Sequence, residues 1–408
     1  MTRRRTTAVL AALALALGVL SVATPTSASG PAFYDTPSVL PRGPHGTLVR
    51  QRPLPALNLL RLQATGYEVM YTSTGANRRY RDLVPGPASV ATGTVLVPRT
   101  RWRGPGPRPV VTFAPGTQGQ GHRCAASMQL DANIEYEVGS PQALLAAGYA
   151  VTITDYAGYT SGRQHPYVAG QALGHDVLDI VRAARQIPGT GITTRSPVAI
   201  WGYSEGGAAA SWAGELARSY TPELRLRGVA AGGVPARLAD EVGFIDGGPY
   251  VDLFLIAVRG LGTAYPAAGF LDVLNPAGLA AVRSNDEQCM VTMITHHPFR
   301  RIRSWLRPGL TPSRVVALPR IKRALDASTL GRHRIHAPVY LYWGGSDTMV
   351  NPLGGKRQFR AYCGLGTQVR RVRYPLLDHV PTMKVAIPGV VRWLHRVFAG
   401  DPPRSSCP

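Results

Sequence analysis

The sequence predicts an α/β fold: a mostly parallel sheet with helices on both faces, interrupted once by a helical insertion. Three observations carry this. Short apolar segments alternate with helical patterns from Tyr67 to about Ala231. The rhythm stops near Pro235, and a helical and loop-like stretch dense in apolar residues such as Leu253, Phe254, Leu255, Ile256 and Val258 follows. The alternation then resumes at Pro338 and runs to the C-terminal helix.

The elements follow in order. Arg3, Arg4 and Arg5, then an apolar stretch from Ala8 to Leu20, then Thr26-Ser27-Ala28, read as an export signal cleaved after Ala28. The apolar stretch is shorter than the roughly 20 residues a membrane span needs, and charges or Pro interrupt every later candidate, so no transmembrane segment is expected. Gly30 to Leu62 is Pro-rich and reads as an arm over the surface. Strands are expected at 92–97, 109–114, 150–154, 197–201 and 226–231, and helices at 141–147, 170–186 and 205–220. In the helix at 170–186, Ala172, Leu173, Val177, Ile180 and Val181 recur on one face. After the insertion come a strand at 338–343, a helix at 352–362, a strand at 368–374 and a helix at 385–398. The expected organisation is therefore a signal at 1–28, a core in two parts at 29–235 and 313–408, and a helical cap at 236–312, after the sixth sheet strand.

A formal net charge of +22 raises nucleic acid as a partner. The charges are mostly Arg and scattered, and the densest cluster, 299–307, belongs to no nucleic-acid-binding fold, so a soluble Arg-rich surface is expected and no nucleic-acid partner. The four cysteines, Cys124, Cys289, Cys363 and Cys407, are even in number in an exported chain and imply two disulfides, with three pairings open. Their spacing does not suit zinc, and His296-His297 has no carboxylate at ligand spacing, so neither a metal nor another cofactor is expected.

The chemistry is carried by Gly202-Tyr203-Ser204-Glu205-Gly206. GxSxG between an apolar strand (PVAIW) and an Ala-rich helix is the nucleophile elbow of α/β-hydrolases. The chain must turn sharply there, the flanking positions approach each other closely, and the N–H of Glu205 then points at a developing oxyanion. A serine nucleophile needs a base and an orienting acid, in the order Ser, acid, His. Asp347 follows the strand segment VYLYW and His379 follows QVRRVRY, each past a strand end. Asp378 competes as the acid, but neighbouring side chains diverge, and Asp347 is preferred. Of the other histidines, His122 lies near the oxyanion loop but precedes the nucleophile; His45 is in the arm, and His165, His175, His333, His336 and His395 fall in helices, loops or before strands. The second oxyanion donor is expected from the Gly-rich loop Ala114–Gly121, at Thr117 or Gln118.

With these residues in view, the chain resembles the secretory lipase family of fungi and actinobacteria. The likeness rests on APGTQGQGHRC, ITDYAGY, WGYSEGG, VAAGGVPA, YWGGSD and DHVP, in that order, and covers roughly Leu83 to the C-terminus. It implies an α/β-hydrolase core with a cap between the sixth and seventh strands, and hydrolysis of acyl esters, including triacylglycerols. It also implies pairing of Cys124 with Cys289 and Cys363 with Cys407. One departure is Ala157, where members often carry an acidic residue after the Tyr.

The sequence thus reads as a secreted, monomeric, cofactor-free ester hydrolase whose apolar cap holds an acyl chain and makes transient contact with a lipid surface. A short-chain esterase or an acyltransferase shares the same chemistry. A serine peptidase on this fold would need a clustered acidic group in the cap; Asp240-Glu241 and Asp286-Glu287 are isolated pairs.

Overall fold

The computed structural model describes residues 31–54, 62–76, 86–160, 162–294, 296–401 and 404–408, so the export signal expected at 1–28 lies outside the described residues. Among these, nine strands form one sheet: β1 (Leu48–Pro53), β2 (Ala64–Thr74), β3 (Ala88–Pro98), β4 (Val110–Ala114), β5 (Ala150–Ala157), β6 (Pro197–Tyr203), β7 (Arg225–Gly232), β8 (Val339–Gly344) and β9 (Val369–Tyr374). Their order is β1-β2-β3-β5-β4-β6-β7-β8-β9. The first pairings, β1 with β2, β2 with β3 and β3 with β5, are antiparallel, and the rest are parallel. Strands β4 and β8 are buried throughout, as expected of parallel strands covered on both faces.

Part of the expected surface arm is strand β1. Its charged Arg50 and Arg52 mark an edge strand, where such residues discourage pairing with another chain. With β2 also added to the five strands expected before the insertion, the insertion follows the seventh described strand in chain order, β7, and not the sixth.

One face of the sheet is covered by α2 (Gly170–Ala184) and α3 (Glu205–Tyr220). They approach closely at Gly170, where a Cβ would lie 1.8 Å from the Trp212 indole nitrogen. The other face is covered by α1 (Gly139–Ala146) and by the C-terminal helix, whose Met383, Trp393 and Leu394 join Leu144, Phe113 and Trp201 in a second apolar cluster. That C-terminal helix begins at His379, six residues earlier than its apolar pattern indicates. Pro381 falls in the first turn, where its missing N–H costs no bond, and Pro388 lies inside the helix.

Between β7 and β8 the described residues hold helices and no strand. The helices are α4 (Leu238–Ile245), α5 (Asp252–Ala264), α6 (Pro276–Asn285), α7 (Pro312–Ala317) and α8 (Pro319–Ala327), with shorter turns between them. They share an apolar cluster of their own, built on Phe254, Leu255, Ile256, Trp305 and Ile321, which also takes in Tyr167 and Val168 from the core. Helix α9 (Pro352–Gly364) and the C-terminal helix, α10 (His379–Ala399), complete the chain. Two disulfides join Cys124 to Cys289 and Cys363 to Cys407, the pairs the family resemblance implies. No single helix among the described residues is long and apolar enough to cross a membrane.

Candidate active site

Ser204 sits between the C-terminal end of β6 and the start of α3 with φ 59° and ψ −124°, a conformation that L-residues rarely adopt and that costs on the order of 1–3 kcal/mol. Neighbouring contacts hold it there: its N–H donates to the Gly232 carbonyl at 2.9 Å. The two glycines of the elbow are required by close backbone approach. A Cβ at Gly202 would lie 2.1 Å from the Gly206 carbonyl oxygen, and one at Gly206 would lie 2.0 Å from that of Ala114. The second approach ties the elbow to the end of β4, where the oxyanion loop begins.

Asp347 follows β8, and His379 opens α10 just after β9. The His379 Nδ1–H donates to Asp347 Oδ2 at 2.7 Å, and both residues are buried. Asp347 Oδ1 accepts the N–H groups of Met349 and Val350 at 2.9 and 2.8 Å, so the carboxylate is aimed by its own loop. Asp378 is engaged elsewhere. It caps α10 by accepting the His379 N–H at 2.7 Å and takes the N–H and hydroxyl of Thr348. Its partial burial would raise its carboxyl, but these hydrogen bonds outweigh that and hold it below the usual carboxylate range. Tyr203, the variable residue of the elbow, supports the imidazole: its ring centroid lies 4.8 Å from that of His379, and its hydroxyl donates to the His379 carbonyl at 2.8 Å.

Ser204 and His379 line one cavity together with Thr117, Tyr136, Glu137 and Lys384. A second, apolar cavity starts at Ser204 and Glu205 and runs into the helical insertion between Leu238, Phe254, Leu261 and Ile321. Of the two apolar residues singled out in the sequence, Phe254 lines this second cavity, whereas Leu255 is fully buried in the insertion's own cluster. Two successive residues of a helix point about 100° apart, which separates them. Glu241 lies on the wall of the same cavity. One of its oxygens accepts the Asn351 N–H at 2.8 Å, and burial pushes its carboxyl up to about 8.

The loop after β4 brings Thr117 to the first cavity, while Gln118 turns away. The Gln118 side chain accepts from Gln129 at 2.6 Å and donates to the Gly116 carbonyl at 3.2 Å. The Glu205 side chain lies against His165, with Oε1 2.8 Å from Nε2 and both residues 1% exposed. His165 is stacked against Tyr156 and Tyr159, so a histidine set aside in the sequence is a buried support of the residue after Ser204. His122 packs edge-on against Tyr34. The pair His296-His297 does meet a carboxylate: His297 Nδ1 is 2.7 Å from Asp252, 45 residues upstream, and His296 bonds Asn285. Sequence spacing conceals that pairing because α5 and the loop after α6 meet only in the folded insertion.

The sequence profile described as secretory lipase matches residues 125–406. A secreted triacylglycerol lipase of Malassezia globosa is 26% identical over 395 residues, covering 92% of this chain and 80% of its own. A protein of Mycobacterium tuberculosis described as a probable inactive lipase is 25% identical over 382 residues, covering 91% and 82%. Among solved structures, Candida antarctica lipase A in its closed state superposes with a TM-score of 0.80 at 22% identity, covering 92% of this chain and 88% of its own. Its agreement shows the fold, an α/β-hydrolase. The protein is secreted, in keeping with relatives named as secreted and with its two disulfides. On the profile match over more than half its length, the chain belongs to the secretory lipase family.

Proposed function

We propose that the protein is a carboxylic ester hydrolase that cleaves acyl esters, triacylglycerols among them, through Ser204, His379 and Asp347. One observation carries the reading: a serine held at φ 59° shares a cavity with a buried imidazole whose other nitrogen is bonded to a buried carboxylate. In this chemistry His379 takes the Ser204 proton as Oγ attacks the ester carbonyl, and Asp347 steadies the imidazolium that forms. The backbone N–H groups of Glu205 and of Thr117 or Gln118 receive the oxyanion. His379 then protonates the leaving alcohol, and water or another alcohol releases the acyl group by the reverse path.

The helical segment from 236 is the cap in this reading. It extends past 312, because Val315, Ile321 and Leu325 of α7 and α8 line the same cavity as Phe254. That cavity takes the acyl chain, and the one lined by His379 takes the alcohol. The relatives named as triacylglycerol lipases support a lipid ester as substrate. The test is a series of p-nitrophenyl esters from butyrate to palmitate beside an aminoacyl amide. Efficiency rising with chain length until the cavity is full, with the amide turned over poorly, is expected. A flat profile favours a short-chain esterase or an acyltransferase, and preference for the amide favours a peptidase.

A further inference from the structure

Side chains from elsewhere grip three peptides of the loop that carries Thr117. Tyr156 donates to the Pro115 carbonyl at 2.7 Å, Tyr136 to that of Thr117 at 3.0 Å and Tyr159 to that of Gly119 at 2.7 Å. These grips use neutral hydroxyls. The grip on the Gly116 N–H is different: it is a carboxyl oxygen of Glu137, at 2.6 Å. Glu137 is buried, lines the cavity shared by Ser204 and His379, and lies beside a second buried carboxyl, Glu135.

We propose that Glu137 is a positioning residue for ester cleavage at Ser204: by holding the Gly116 N–H it fixes, with Tyr156 on the Pro115 carbonyl, the Pro115–Gly116 peptide that leads into Thr117, and so aims the oxyanion loop at the ester oxygen that gains charge. The proposal rests on Ser204 being the nucleophile. Gly116 supplies the close approach, since a Cβ there would lie 3.0 Å from the Tyr136 hydroxyl and 3.3 Å from both Glu137 oxygens. A 1 Å displacement of an oxyanion donor weakens it steeply, which is how a residue that supplies no group to the reacting atoms governs turnover here.

The surroundings also set the charge of this group. Glu135 faces it from its own segment, Glu205 from α3, and the neutral phenols Tyr136, Tyr156 and Tyr342 from the loop, β5 and β8. Across the cavity are His379 and the exposed Lys384 of α10. Burial, reinforced by Glu135, pushes the Glu137 carboxyl well above the usual range, and burial takes Glu135 up to about 7. A neutral Glu137 accepts from Gly116 through its carbonyl oxygen and sets no negative charge beside the forming oxyanion. Glutamine does the same.

The experiment compares kcat and KM for p-nitrophenyl butyrate at pH 7 in the full-length secreted protein and in Glu137→Gln, Glu137→Leu and Ser204→Ala. Glu137→Gln should keep kcat within about threefold, and Glu137→Leu should lose roughly 10- to 100-fold in kcat, with KM little changed. If Glu137→Leu does not fold, Glu137→Gln decides alone, because a large loss of kcat in a folded glutamine variant overturns the proposal. Wild-type kcat in Glu137→Leu, or a loss expressed only in KM, overturns it too. Activity surviving in Ser204→Ala overturns the nucleophile assignment and this proposal with it, whereas loss in Ser204→Ala with full activity in Glu137→Leu overturns this proposal alone.

Discussion

Asp347 and Thr117 come to the site from different elements, the loop after β8 and the loop after β4, and are held by different means. Asp347 is oriented by the N–H groups of Met349 and Val350, two and three residues ahead, and its imidazole partner opens a helix capped by the residue before it. Thr117 lies in a loop gripped by Tyr136, Glu137, Tyr156 and Tyr159, and by the helical insertion. The insertion contributes a strap: Met290 N–H donates to the Gln118 carbonyl, Gln120 N–H to that of Gln288, and Cys289 is joined to Cys124. In the proposed reading the acid–base side is therefore a local construction at two strand ends, and the oxyanion side is a tertiary one that includes the helical insertion. Damage in the helical insertion should reach turnover through the second side and not through the first.

The sharpest contrast lies within the acid–base side. Ser204→Ala and His379→Ala should each lower kcat by about six orders of magnitude, and Asp347→Asn by about four. Asp378→Asn should cost less than about tenfold, because its bonds go to Thr348 and to the helix N-terminus rather than to the imidazole. A dead Asp378→Asn beside an active Asp347→Asn would reverse the assignment of the acid.

On the oxyanion side, Cys289→Ser cuts the strap. The closed loop spans 165 residues, so about 2–4 kcal/mol of stability should be lost. If the strap holds the loop, kcat should also fall by roughly tenfold with KM unchanged. Cys363→Ser, which frees only the C-terminal tail, should lower the melting temperature without that loss of kcat. Equal kinetic effects from the two variants would remove the distinction between the sides.

Within the cap, Phe254→Asp should depress palmitate esters more than butyrate esters. Each lost methylene contact is worth up to about 0.8 kcal/mol, a few-fold in rate. Leu255→Asp buries a charge in the cap's own cluster and should lower stability and all substrates alike. Kinetics of both esters beside a melting curve separate the two.

The smallest expected effect is on pH. Burial pushes the carboxyls of Glu135 and Asp176 up to about 7, from ordinary values of 4.5 and 3.8. Between those limits the folded state binds more protons than the unfolded one, so stability is full below about pH 4 for these groups and is lost as pH rises through 7. Asp378, lowered by its hydrogen bonds, acts oppositely: its contribution is present above its ordinary 3.8 and is lost as pH falls below it. The melting temperature should rise by a few degrees from pH 8 to pH 5. A steady rise with pH over that range would contradict the burial argument.

The local side of the site was legible because its signals are short: Ser204 and Asp347 each follow an apolar, covered strand, β6 and β8, and His379 follows the alternating, half-exposed strand β9. The α/β alternation was legible for the same reason. The start of α10 was hidden by Pro381 and Pro388, which read as breaks in the helix but fall where the fold accommodates them. Strand β1 was hidden by the charges and prolines that suit a sheet edge. The grip on this loop left no spacing to find, since Glu137, Tyr156, Tyr159 and Met290 meet Pro115 to Gly119 only after folding. A usable hint was Glu135-Tyr136-Glu137, two acids beside a helix whose neighbours are apolar and with no basic residue near to pair them.

The central claim is that Ser204 is the acylated nucleophile, and covalent trapping tests it most directly. The secreted protein is treated with a long-chain alkyl fluorophosphonate, digested and mapped by mass spectrometry, with ester hydrolysis followed in parallel. One adduct per chain on the peptide containing Ser204, appearing as activity disappears and absent from Ser204→Ala, is the predicted result. Full hydrolysis by a completely labelled protein, or an adduct on another residue that tracks the loss of activity, would contradict the account.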